Sequence, residues 1–302
     1  MNLLDLLFQA AGLAVFAVVI GLGHRRWVAR YGAALDTQQR GVLLLIIVTL
    51  AGGLVGSPVW WADDPRAFAW DLPPLAGRML GAAGWSFVAL CLAALEYPTR
   101  GRIRLALVML AVYLTPLAIA ILIWHRDRFD PGAPITYAFF IIVAGLIVPA
   151  LWFLIRPPRP IARREDHRPA APLLSLWLTI VAAVTGLWGL ALFVTDRGPT
   201  ALIWAWPGDL LTSRLIGVML LTIMAGALQS RRSADLARIV LLATIVYAVG
   251  LTVASLWGLL LGQPPRPGYA VAFAAIAIGS TLALASERRA PAPRDAGIAP
   301  SE

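Results

Sequence analysis

Residues 105–124 read L-A-L-V-M-L-A-V-Y-L-T-P-L-A-I-A-I-L-I-W, twenty consecutive positions without a charge, preceded by Arg100, Arg102 and Arg104 and followed by His125 and Arg126. Wound as a helix at about 1.5 Å per residue, such a run is about 30 Å long, the thickness of a bilayer's hydrocarbon core. Outward from it the pattern repeats. Apolar runs occupy Leu3–Gly23, Gly41–Trp61, Met79–Leu95, Ile135–Ile155, Leu174–Thr195, Leu215–Gln229, Ile239–Leu261 and Tyr269–Ala285, and only the one from Leu215 is short. Composition agrees, with 302 residues 60% hydrophobic and 14% charged where a soluble domain carries roughly 25% charged. A disordered chain, a disulfide scaffold and an ordinary soluble enzyme are excluded. The expected fold is all-α, a polytopic transmembrane bundle of about nine spans.

The net charge of +9 would suggest nucleic-acid binding in a soluble protein. In a membrane protein the useful question is which loops hold the charge. All 25 basic residues are Arg, which fits a high-GC bacterial coding bias. Eighteen lie in the first, third, fifth and seventh loops and the C-terminal tail; seven lie in the alternate loops. With eight carboxylates on each side, one face carries +10 and the other −1. The Arg-rich side is expected to be cytoplasmic, giving an N-outside, C-inside chain in the inner (plasma) membrane. Its inner loops are expected to meet membrane lipids through their anionic headgroups, without nucleic acid. The first run has no positive n-region and is trailed by His24, Arg25 and Arg26, so it reads as a retained span and not a signal peptide.

Self-similarity organises the spans. Trp70, Leu75, Arg78 and Gly81 match Trp206, Leu211, Arg214 and Gly217 at an offset of 136. Gly53, Leu54, Gly56 and Asp63 match Gly186, Leu187, Gly189 and Asp196 at 133, and Arg104, Leu107, Tyr113, Leu117 and Ala120 match Arg238, Leu241, Tyr247, Leu251 and Ala254 at 134. Tyr137 and Ala138 match Tyr269 and Ala270 at 132. Offsets that hold within segments and change between them are those of a duplication whose loops accepted insertions. The expected organisation is an N-terminal span with its basic loop (1–40), a four-helix unit (41–155), an Arg- and Pro-rich cytoplasmic linker (156–172), a second four-helix unit (173–285) and a disordered tail (286–302). Four crossings per unit make the repeat parallel.

The duplicated outer segment, aromatic-Ala-Trp, a Pro-containing stretch, Leu, Arg and then Gly, resembles a W-P-L-T-P-L-x-x-R-x-I-G pattern of uncharacterised bacterial multipass membrane proteins. The likeness covers about a dozen residues per copy. Asp71, Leu72 and Pro73 depart from it in the first, and Gly208 and Asp209 intrude in the second. It implies a membrane family and no activity.

Arg78 and Arg214 stand at helix starts, where a positive charge opposes the macrodipole. Either each has a local partner, Asp71 for Arg78 and Asp209 for Arg214, with Trp70, Trp204 and Trp206 anchoring the interface, or the two clamp an anionic substrate or lipid headgroup. Asp63, Asp64 and Asp196 are the candidate ligands of a divalent cation, the alternative being solvated loop carboxylates. His125 and Asp127 are the one conceivable acid–base pair, read as part of an exposed charge run. Three glycine pairs, Gly52/Gly56, Gly77/Gly81 and Gly258/Gly262, have the spacing for close helix approach. Pro116 and Pro149 are expected to kink their spans. Cys91 lies within an apolar run, no Cys or His cluster has zinc spacing, and no nucleotide-binding or hydrolase motif occurs, so no cofactor is expected. Apart from Asp5 and Glu96 at span ends, no ionisable residue interrupts a run, which argues against ion-coupled transport. The expected function is that of a non-catalytic scaffold or accessory subunit, with a protein partner or a second copy, or a facilitator with its site between the repeats. The alternative is a membrane enzyme acting on a lipid-linked or anionic substrate at the outer face. Reporter fusions test the orientation: a fusion within the 156–172 linker is expected to report the cytoplasm and one in the second loop the exterior, and an exterior linker overturns the assignment.

Overall fold

The computed structural model describes residues 3–289 except 69, 71, 73, 133, 163–167, 195–209 and 263–266. Within them run nine long helices, each long and apolar enough to cross a membrane. They are α1 (Leu3–Gly23), α2 (Thr37–Trp61), α3 (Pro74–Glu96), α4 (Arg100–Trp124), α5 (Pro134–Ile155), α6 (Pro172–Val194), α7 (Leu210–Ser230), α8 (Ala234–Leu260) and α9 (Pro267–Arg289). No strand occurs among the described residues. The chain is a multi-pass membrane protein.

Helix starts follow local chemistry. At the Arg-rich end, Asp36 opens α2 with a reciprocal box: Gln39 N–H donates to its carboxylate at 2.8 Å, and its own N–H donates to Gln39 Oε1 at 2.9 Å. Thr99 and Ser233 cap α4 and α8 by accepting from Arg102 and Leu236 N–H. α3, α5, α6 and α9 each begin at a proline, the residue whose missing N–H costs nothing in a first turn. α7 begins five residues before the apolar run that announced it, which puts Arg214, like Arg78 in α3, inside the helix. The first basic loop also differs from expectation. Residues His24–Val28 continue α1 as a π-turn and Ala29–Ala34 as a 3₁₀ turn, drawn in because Trp27 and Val28 are buried. α9 likewise extends to Arg289; the tail beyond it, residues 290–302, lies outside the described residues.

Packing is pairwise. α2 lies on α3, α6 on α7, α4 on α5 and α8 on α9, and the centre is formed by α3 against α8 and α4 against α7. α1 and α5 are peripheral, with most of their surface open to the bilayer. The approach of α2 to α3 and of α6 to α7 is at backbone level. A Cβ added at Gly53 would stand 2.7 Å from the Gly84 carbonyl oxygen, one at Gly81 2.9 Å from that of Ser57, and one at Gly217 2.8 Å from that of Gly189. Of the expected pairs, only Gly77/Gly81 serves here. Gly52 faces open space, Gly56 lies against Trp60 of its own helix, and Gly262 is a turn residue at φ 72°. α4 and α5 continue as helices through Pro116 and Pro149.

At the Arg-rich end, ion pairs tie helix ends together. Arg102 holds Asp235 with two nitrogens, joining α4 to α8, and donates a third hydrogen bond to Ala93 O at 2.9 Å. Arg26 meets Glu96 at 2.6 Å, and Arg238 meets Glu287 at 3.5 Å. The linker is held down on the same end. Gln39 donates to Arg159 O at 3.2 Å, Ala162 N–H to Pro98 O at 3.3 Å, and Ala234 N–H to Arg168 O at 3.1 Å. Adding a methyl group at the backbone contact tests the packing. Gly217→Ala is expected to lower stability by about 1–3 kcal/mol through overpacking, whereas Gly52→Ala and Gly145→Ala, with nothing within 4 Å, are expected to be neutral or to gain up to about 1 kcal/mol in helix propensity. Thermal unfolding in detergent reads both.

Candidate functional site

The candidate site lies at the Arg-poor end, opposite the ion pairs of Arg26, Arg102 and Arg238. α2 ends through its own backbone: Asp63 N–H donates to Trp60 O at 3.1 Å and Asp64 N–H to Val59 O at 3.3 Å, the paired bonds of a Schellman ending. That ending needs a left-handed residue after the cap, usually glycine. Asp63 occupies it at φ 61°, a conformation that Asp tolerates better than most residues. The turn carries the Asp63 carboxylate onto the first turns of α3, with Oδ1 2.9 Å from where a Gly77 Cβ would stand. Burial holds its carboxyl above the ordinary 3.8, and the Arg78 guanidinium pulls it back. Asp64 turns elsewhere. Arg66 donates to it from Nε at 2.9 Å, from Nη2 at 2.6 Å and from its backbone N–H at 3.0 Å, and this holds the Asp64 carboxyl below its ordinary value. Arg66 itself covers the Phe8 ring of α1 at 4.1 Å.

Arg214 is compensated differently. Its Nε donates to Phe193 O at 3.2 Å, a carbonyl in the last turn of α6, where unpaired carbonyls carry the negative end of the macrodipole. Its guanidinium lies 4.6 Å over the Trp124 ring. Its Nη1 meets His125 Nε2 at 2.6 Å. A guanidinium only donates, so Nε2 accepts and the imidazole is neutral with its proton on Nδ1. His125 is buried, not exposed as its neighbours Arg126, Asp127 and Arg128 suggested, and its partner is Arg214, not Asp127. Its signal was position: it closes α4 at the first residue after the apolar run. The match between copies hid it, because the residue at the corresponding offset is the apolar Leu259.

The remaining candidates divide. Trp70 is buried among aromatic rings, 5.1 Å from Phe129 and 5.4 Å from Phe139. Asp71, Asp196, Trp204, Trp206 and Asp209 lie outside the described residues. So the expected pairs Asp71–Arg78 and Asp209–Arg214 stay outside the description, while Asp63 faces Arg78 and His125 faces Arg214. Asp63 and Asp64, adjacent in sequence, part toward different arginines, and no three His, Cys, Asp or Glu side chains converge as a metal site among the described residues. Arg214 gives two of its five guanidinium N–H donors to Phe193 O and His125 Nε2. The arrangement ties α4, α6 and α7 together at their Arg-poor ends.

No family model matches the chain, and comparison with curated proteins and with solved structures finds no match. A double-mutant cycle measures what the Arg214 cluster does. Arg214→Gln and His125→Ala are expected to couple by about 1.5–3 kcal/mol, the range of hydrogen bonds to charged groups, with Asp127→Asn within about 0.5 kcal/mol of wild type as an exposed substitution. Chemical denaturation in detergent micelles is the measurement, and additive effects would mean that the contact is incidental.

Proposed function

We propose that this is a non-catalytic scaffold or accessory protein of the inner membrane, N-outside and C-inside, built from two copies of a four-helix unit with α1 added in front. It belongs, in this reading, with the bacterial multipass proteins that its outer motif resembles. Support for the duplication comes from the packing scheme, which is unchanged when α2, α3, α4 and α5 are exchanged for α6, α7, α8 and α9: α2/α3 becomes α6/α7, α4/α5 becomes α8/α9, and α3/α8 becomes α7/α4. The caps Thr99 and Ser233 correspond at the offset of 134 that relates Arg104 to Arg238. One register shifts. Gly81 sits on Ser57 O and Trp61 N, and Gly217 on Gly189 O and Phe193 N, so α2 and α6 superpose at 132, one less than the glycine matches in sequence.

The observation that carries the scaffold reading over a facilitator is the seam between the units. Where α3 meets α8, a Cβ at Gly250 would stand 2.5 Å from Ala82 Cβ, and Ser86 donates to the Ala243 carbonyl at 2.8 Å. Where α4 meets α7, Met109 lies over Gly226, its sulfur 2.8 Å from a Cβ built there. Met109, Ala82, Ala243 and Tyr247 are all buried. A substrate path between the units would have to separate these surfaces. Side chains packed on bare backbone instead favour a fixed joint.

Locking the joint tests this. Cysteines at Met109 and Gly226, in a Cys91→Ala background, are expected to cross-link on oxidation, and the locked protein is expected to complement a deletion strain as well as the reduced one. Complementation lost on oxidation and regained with reductant would establish that the units move, and the facilitator would replace the scaffold.

A further inference from the structure

At the Arg-rich end, a groove opens between the start of α4, the end of α5 and the first residues of the linker. Its floor is apolar, made by Leu107, Phe153 and Leu154, and its rim carries Arg100, Arg104 and Arg159. None of the three arginines forms an ion pair with a described carboxylate, and all three are exposed. The linker's Pro157, Pro158 and Pro160 wall the groove on the aqueous side, and Gln39 anchors that wall through the carbonyls of Arg159 and Pro160 at 3.2 and 3.4 Å. Such a wall is stiff, since proline fixes the backbone. Three guanidinium groups are thus held around one opening, above an apolar floor on two membrane-spanning helices.

The second unit shows what is missing here. Arg238, the counterpart of Arg104, meets Glu287 at the end of α9. At the offset of 132 that relates Tyr137 to Tyr269, the counterpart of Glu287 is Ile155, which is 77% exposed. Arg104 therefore lacks the carboxylate that Arg238 has, and the groove has two extra positive charges in Arg100 and Arg159. This comparison rests on the duplication proposed above; the groove itself does not.

We propose that this groove is a binding site for one acidic phospholipid, its phosphate held among Arg100, Arg104 and Arg159 and one acyl chain laid along Leu107, Phe153 and Leu154. The occupant follows from the two surfaces. Guanidinium groups around one opening suit a phosphodiester, and the apolar floor leads from them onto α4 and α5, where only a molecule with a hydrocarbon tail gains from burial. A free anion would use the rim and leave the floor bare.

The test uses the full chain in detergent, with binding of phosphatidylglycerol and phosphatidylcholine measured by native mass spectrometry. Saturable, preferential phosphatidylglycerol binding is expected. Arg100→Gln with Arg104→Gln and Arg159→Gln is expected to weaken it at least tenfold, given roughly fivefold per arginine near an anionic headgroup. Arg231→Gln with Arg232→Gln, which removes charge at the same end but outside the groove, is expected to change it less than about twofold, since a charge without direct contact is largely screened. Equal binding of the two lipids, equal losses in the two variants, or displacement of the lipid by inorganic phosphate alone would each overturn the proposal. Ile155→Glu separates the premises. It supplies the carboxylate of the second unit and is expected to weaken binding as Arg104→Gln does. If Arg104→Gln weakens binding and Ile155→Glu leaves it intact, the lipid site stands and the duplication register falls.

Discussion

Inside a bilayer, one apolar helix gains nothing from another that lipid does not also offer, except the closeness of contact. That constraint governs this protein. Its interior helices meet where a side chain is missing: Gly53 on Gly84, Gly81 on Ser57, Gly217 on Gly189 and Gly250 on Ala82. Each approach brings many atoms to van der Waals distance, where single contacts are worth only about 0.1–0.2 kcal/mol but accumulate. Polar side chains are then free to serve their own helices. Thr49, Thr185, Thr222 and Ser255 each return a hydrogen bond to a carbonyl four residues back, while Ser86 reaches across to α8.

The spans were legible because length and hydropathy are one-dimensional properties. Residues 105–124 announce α4 without any knowledge of its neighbours. What depends on a helix's face was less legible. Gly52 and Gly53 are indistinguishable in a string, yet one faces open space and the other the backbone of α3. The start of α7 was lost because Arg214 interrupts the apolar run, and its carbonyl, aromatic and imidazole partners come from α4 and α6, 21 to 90 residues away in the chain. His125 was misread for a related reason: three charged neighbours made its surroundings look aqueous, while its burial depends on a helix end that sequence does not place beside it. The acidic pair after α2 was legible as charge and not as geometry, since a single left-handed residue sends Asp63 and Asp64 to different arginines.

Antiparallel pairing also explains how an arginine survives at the start of a helix on the face where Arg is scarce. The N-terminal turn of α7 is a poor place for a cation taken alone. Beside it, however, α6 and α4 finish, and their terminal carbonyls and side chains are the complementary partial charges. Phe193 O and His125 belong to those two endings. The ends of α6 and α4 thus offset, at Arg214, the unfavourable field that α7 by itself would impose.

The manner in which the proposed units meet bears on motion. Within a unit, α3 touches α4 only slightly; α3 lies between α2 and α8, and α4 finds its main partner in α7. The units are therefore interleaved and not set side by side. Swinging one against the other would strip α3 of α8 and α4 of α7 together, breaking the Ser86–Ala243 hydrogen bond within the membrane and the Arg102–Asp235 pair at its edge. Carriers built from repeats keep a polar, separable surface between them so that each state costs little. The interface of Ala82, Met109, Gly226 and Gly250 is instead close-packed and apolar, which supports the proposed scaffold over the facilitator.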